Sequence, residues 1–83
     1  MDLMALKEAS RTYHIGRYHL EGMVRDRVIP VGVSIHLGRR VFLNRQLFEE
    51  FLINGGAQLP GGWKRRVARA VKVVERMKSK VVT

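Results

Sequence analysis

The stretch YHIGRYHLEGMVRDRVIP, residues 13–30, decides the fold. From Arg17 onward, Leu20, Met23 and Val24 recur at helical spacing, with Ile15 ahead of them as a candidate staple residue. Gly16 suits an N-cap, where glycine is acceptable. Pro30, preceded by RVI, ends the helix, because the residue before a proline is pushed towards extended geometry. Gly22 is the anomaly. Glycine costs a helix interior about 1 kcal/mol relative to alanine, and here it falls on the face opposite Leu20 and Val24, which predicts an outward position.

Upstream, Leu3, Leu6 and Ala9 or Ser10 predict a first short helix over Leu3 to Arg11, and TYH breaks its pattern. Two short helices across a tight turn read as a helix-turn-helix. Downstream, in VGVSIHLGRRVFLN (residues 31–44), Val31, Val33, Ile35 and Leu37 alternate with Gly32, Ser34 and His36, the period of a half-buried strand. Gly38 with Arg39 suits a tight turn and VFL a returning strand, which makes a β-hairpin with Arg39 and Arg40 at its tip. Asn44 is a good N-cap for a third helix, RQLFEEFLIN, with Leu47, Phe48, Phe51 and Leu52 as its core face. Gly55 and Gly56 stop it. AQLPGGW is a turn-rich connector that offers Leu59 and Trp63 for docking.

The last segment, WKRRVARAVKVVERMKSKVVT, is amphipathic when wound as a helix. Val67, Ala70, Val71, Val74, Met77 and Val81 share one face, and Arg65, Arg69, Lys72, Arg76 and Lys80 the other, with Val73 the exception. Repeated valine lowers intrinsic helicity, so this helix needs a docking surface. The expected organisation is therefore residues 1–56 as a domain of helix-turn-helix, β-hairpin and third helix, 57–63 as connector and 64–83 as a basic amphipathic C-terminal helix or tail.

Eighty-three residues with 46% apolar content allow one small domain with a modest core. With no cysteine, neither disulfides nor thiolate metal sites are available, which fits a reducing cytoplasm. No run approaches the length of a membrane span, and the N-terminus lacks the features of a signal peptide. The expectation is a soluble, cytoplasmic protein. The net charge of +9 predicts a polyanionic partner, most often nucleic acid, and eight of the sixteen basic residues fall in residues 63–83.

The order helix, turn, helix, IP, hairpin, Asn-capped helix resembles the small excisionase-like and MerR-like winged helix-turn-helix DNA-binding domains. The residues that carry the resemblance are LKEAS (6–10), Ile15, LEGMVRDRVIP (20–30), VSIHLGRRVFLN (33–44) and LFEEFL (47–52), so that it covers about residues 3–56. It implies an α+β fold in which the second helix enters the major groove and the hairpin, as a wing, contacts the adjacent backbone or minor groove. It further implies an architectural factor that binds neighbouring sites in the attachment region of a mobile element, bends the DNA and assists an integrase. Two positions depart from the pattern. Arg27 stands where such domains usually have glycine after the second helix, and Gly22 replaces a long basic side chain.

On this reading, Arg17, Tyr18, His19, Gly22 and Arg25 form the candidate DNA-reading surface of the second helix. The arginines suit phosphates or guanine, Tyr18 and His19 suit base edges or phosphate, and Gly22 suits close backbone approach. An ordinary solvated face is the alternative. Arg39 and Arg40 suit a narrow minor groove or a phosphate clamp, with a charged, aggregation-resistant hairpin edge as the alternative, and His36 lies with Gly32 and Ser34 on the polar strand face, either within reach of DNA or simply exposed. Arg65, Arg69, Lys72 and Arg76 form a stripe for the DNA backbone or a partner protein, while the apolar stripe docks on the body. A membrane surface is the least favoured partner. A transcriptional regulator of the same fold, an adaptor whose tail helix binds a protein, and an RNA-binding protein are the other readings. His14, His19 and His36 lack metal-site spacing and the carboxylates show no paired arrangement, so neither an enzyme nor a metal or other cofactor is implied.

Overall fold

Local sequence explains most of the elements in the structure, a computed structural model that describes residues 2–81, and only the backbone at Ala57, Ser79, Lys80 and Val81. In order they are β1 (Leu3–Ala5), α1 (Leu6–Tyr13), α2 (Arg17–Arg25), β2 (Ser34–Leu37), β3 (Arg40–Asn44), α3 (Arg45–Gly55), a 3-10 turn (Gly56–Gln58) and α4 (Trp63–Val81). The result is a small α+β structure whose three-stranded antiparallel sheet has the order β1-β3-β2, an architecture compatible with a winged helix.

The first element corrects the expectation of a helix from Leu3. Leu3–Ala5 pairs with β3, with Met4 opposite Leu43, so the chain enters as an edge strand and only then turns helical. Arg45 ties it down: its backbone N–H donates to the carbonyl of Asp2 at 2.9 Å, and its guanidinium reaches Asp2 at 2.8 Å and Glu8 at 3.0 Å. The helix α1 also runs two residues past Arg11. Tyr13 is fully buried, packs edge-on against Phe48 at 5.3 Å and donates its hydroxyl to Glu49 at 2.6 Å. Burial, reinforced by the neighbouring Glu49 carboxylate, pushes the Tyr13 hydroxyl well above its ordinary pKa.

Gly16 is the N-cap of α2, as the sequence predicts. The helix ends at Arg25, a turn before Pro30, because a different device stops it. The N–H of Val28 donates to Met23 O at 2.8 Å and that of Arg27 to Val24 O at 3.2 Å, with Arg27 at φ 59°. This is a Schellman motif with arginine at the left-handed position where glycine is usual. Behind it, Ile29 returns to the core.

The hairpin forms around Gly38 (φ 63°) and Arg39, with Leu37 opposite Arg40, and this turn fixes the register. Its phase differs from the alternation read in the sequence. Ser34 lies opposite the buried Leu43 and is itself buried, whereas Val31 is 85% and Leu37 53% exposed. The strand starts at Ser34 rather than Val31, since Gly32 and Val33 are in a turn.

Asn44 caps α3 as expected, its side-chain oxygen accepting from Leu47 N at 3.1 Å. Phe48 and Leu52 are buried and Phe51 is packed against the core, but Leu47, expected in the core, is exposed. Neither Gly55 nor Gly56 adopts a left-handed conformation; Gly56 is small because α4 lies close, and a Cβ there would fall 2.8 Å from Val71 Cγ2. Val67, Ala70 and Val74 of α4 are fully buried in the same cluster as Leu6, Ala9, Leu20 and Phe48. Val71 and Val73 pack against that cluster, and Met77 is partly exposed. The expected placement of Val81 and Lys80 on opposite faces lies outside the described side chains. Among the described residues, no helix is long and apolar enough to cross a membrane.

Candidate functional site

Helix α2 presents a narrow exposed face between two neighbours. Leu20 and Met23 turn inward, while Arg17, Tyr18, Glu21 and Arg25 face out, with Tyr18 76% exposed. On one flank stands the hairpin. Arg17 and Glu21 line an open groove together with Arg39, Arg40, Val41 and Phe42, and Lys7 of α1 lies on its rim. The guanidinium of Arg40 sits 5.6 Å from the centre of the Phe42 ring, a cation–π contact that anchors it on the sheet. His36, opposite Val41 in the hairpin, lines a second concavity with Glu21, Val24 and Arg25. The structure therefore gathers Arg17, Arg25, His36, Arg39 and Arg40 around one side of α2.

The other flank is the start of α4. Trp63 lies against Gly22, and a Cβ at position 22 would stand 3.1 Å from Trp63 Cη2. Gly22 is buried, which corrects the expectation that it faces outward for close backbone approach to a ligand. The space left by its missing side chain is filled from within the chain. His19, half-buried, is engaged as well: its Nε2 lies 2.8 Å from Arg66 Nη1. Tyr18, His19, Arg25, Trp63 and Arg66 share a single shallow concavity.

Charges on α2 are partly compensated. Arg17 Nε is 3.4 Å from Glu21 Oε1, four residues along the helix, and Arg25 Nε is 3.4 Å from Asp26 Oδ1. Both pairs are solvent-exposed and hence weak, so either arginine can exchange its carboxylate for another anion at little cost. Arg65 lines the beginning of α4 beside Lys64 and Arg66, whereas Arg69, Lys72 and Arg76 are exposed further along that helix, away from these concavities.

Glu21, Trp63 and Arg66 are absent from the residues that the sequence singles out for the surface. Glu21 was detectable from its i, i+4 spacing to Arg17. Arg66 carried no such signal, because its relation to His19 exists only once α4 has docked. Among the described residues, no group of three or more histidine or carboxylate side chains is placed to hold a metal ion. Comparison with protein-family models, with curated proteins and with solved structures finds no match to the chain.

Proposed function

We propose that the chain is a sequence-specific, double-stranded DNA-binding protein of the winged helix-turn-helix type, with α2 as recognition helix and the β2–β3 hairpin as wing. The observation that carries this reading is the convergence of Arg17 from α2 with Arg39 and Arg40 from the hairpin tip on one open groove beside the exposed face of α2. Such a spread of guanidinium groups suits phosphates on either side of a groove, and the net charge of +9 supplies the long-range attraction. Tyr18, Glu21 and Arg25 add groups able to hydrogen-bond base edges, with Arg25 suited to guanine and Glu21 to the cytosine amino group. Arg65, Arg69, Lys72 and Arg76 extend the positive surface along α4.

Within this reading, the resemblance to excisionase-like domains points to an architectural factor, acting in the cytoplasm on the nucleoid. It would bend attachment-site DNA for an integrase, with copies on adjacent sites. A small transcriptional regulator of the same fold is the second reading. An adaptor that uses the apolar stripe of α4 is disfavoured, because Val67, Ala70 and Val74 are already buried in the chain's own core.

Selection from a random duplex pool, followed by titration at several salt concentrations, tests the proposal. A selected duplex bound about a thousandfold or more tighter than random duplex supports it. Equal affinity for all duplexes, or preference for single-stranded RNA, overturns it. Footprinting beside the chain's own gene separates excision, with protection at an attachment site, from regulation, with protection over a promoter.

A further inference from the structure

We infer that Arg66 of α4 is a positioning residue that locks His19 of α2 in its Nδ1–H tautomer, so that His19 offers a hydrogen-bond donor and no acceptor to whatever α2 meets. The inference goes beyond DNA binding as such, and it rests on that reading only for the identity of the acceptor.

The geometry is simple. Arg66 Nη1 lies 2.8 Å from His19 Nε2. A guanidinium has five N–H donors and no acceptor, and it stays charged. Nε2 must therefore accept, which requires a neutral ring with its proton on Nδ1. The ring is confined on other sides as well. Its Cδ2 edge lies over Gly16, where a Cβ would stand only 3.1 Å away, and Tyr18 meets it edge-on with 5.7 Å between ring centres. The hydrogen bond made at one ring nitrogen sets which nitrogen carries the proton.

The consequence is chemical. A fixed Nδ1–H can donate to a phosphate oxygen, to guanine O6 or N7, or to thymine O4, but it cannot accept from the amino group of cytosine. The residue that sets this polarity lies 47 positions away in sequence, on a different helix. Four of the guanidinium's five donors remain for other partners, so the lock leaves Arg66 able to contact a phosphate at the same time.

Long-range proton–nitrogen spectra of the uniformly ¹⁵N-labelled full chain report the tautomer directly at a pH where the ring is neutral. The chain has three histidines, and His19→Asn identifies the relevant signals. The expected pattern is a protonated Nδ1 and an unprotonated Nε2 for His19. Arg66→Met should return the ring to the Nε2–H form that free imidazole side chains prefer, while Arg66→Lys, also a pure donor, should preserve the lock. An Nε2–H ring in the unaltered protein, or an Nδ1–H ring that persists in Arg66→Met, overturns the inference. On the selected duplex, Arg66→Met should lower discrimination against random duplex by up to about tenfold, with Arg66→Lys close to the unaltered protein. Undiminished discrimination in Arg66→Met would overturn the part of the inference that concerns reading. Absence of any duplex preference in the unaltered protein would instead sink the DNA proposal and leave the tautomer result standing.

Discussion

The ring of Trp63 closes over Gly22, so that a single methyl group added to α2 would stand 3.1 Å from Trp63 Cη2. The glycine is a seat for the first residue of α4. Alanine at position 22 sets a gain in helix propensity of about 1 kcal/mol against a small displacement of the ring. Leucine cannot be accommodated that way. Gly22→Leu should expel the ring and destabilise the fold by about 1–3 kcal/mol. The chain has one tryptophan, so a red-shifted emission spectrum reports the expulsion without ambiguity. In a Trp63→Ala background the same leucine should cost far less, and an unchanged cost would separate the two residues energetically.

Arg27 occupies the left-handed position of the Schellman motif that ends α2. A side chain there costs about 1–2 kcal/mol, part of which glycine returns through the entropy of the unfolded chain. Arg27→Gly should therefore raise stability by roughly 1 kcal/mol, seen as a higher urea midpoint with unchanged slope. A lower midpoint would mean that the arginine side chain contributes more than its backbone strain.

The hairpin arginines are exposed, and their removal should leave folding intact. With Arg39→Ala and Arg40→Ala combined, the slope of log affinity against log salt should fall by about 2, one unit for each phosphate that is no longer neutralised. An unchanged slope would remove the hairpin from the DNA interface.

Tyr13 makes stability sensitive to alkali. Its folded-state pKa is raised by burial and by the Glu49 carboxylate, so the folded chain holds this proton more tightly than the unfolded chain does. The associated stability is complete below the ordinary tyrosine value of about 10 and is lost progressively as the pH rises above it. Urea midpoints measured from neutral pH into this range should fall for the unaltered protein and fall less steeply for Tyr13→Phe. Parallel curves would show that the alkaline loss arises elsewhere.

Deletion of residues 64–83 would remove Val67, Ala70 and Val74 from the core. A buried valine contributes about 1.5–3 kcal/mol, and a small domain has only about 5–15 kcal/mol in total. The truncated chain should lose the cooperative thermal transition seen by circular dichroism in the full chain. A cooperative transition in the fragment would show that the first 63 residues fold alone.

What the sequence disclosed follows the range of the forces involved. Gly16 as N-cap, Asn44 reaching Leu47 N, the turn at Gly38 and the apolar stripe of α4 all depend on neighbours within a few residues, and all were legible. The strand Leu3–Ala5 was not, because three residues have no period, and its pairing partner lies about forty positions away. The hairpin phase departs from the sequence pattern for a related reason: valine and isoleucine alternate convincingly, yet the turn sets Ser34 opposite Leu43, and a shift of one residue exchanges the faces of a strand. The candidate surface divides in the same way. Arg17, Tyr18 and Arg25 are exposed as a helical wheel requires, and Arg39 and Arg40 stand at the hairpin tip. Gly22 is taken from its expected role by Trp63, whose docking the sequence offers without naming its seat, and His19 gains a partner in Arg66, whose approach no local pattern encodes.

The packing of α1 against α4 also bears on how the molecule comes into being. Leu6 and Ala9 share a core with Val67, Ala70 and Val74, so α1 waits for α4, made about sixty residues later, before it is covered. Synthesis at about 5–20 residues per second leaves that early apolar surface open for several seconds, long compared with the microseconds in which a helix forms. Codon speed and chaperone access along the stretch of message that encodes α4 are then expected to govern the yield of folded protein.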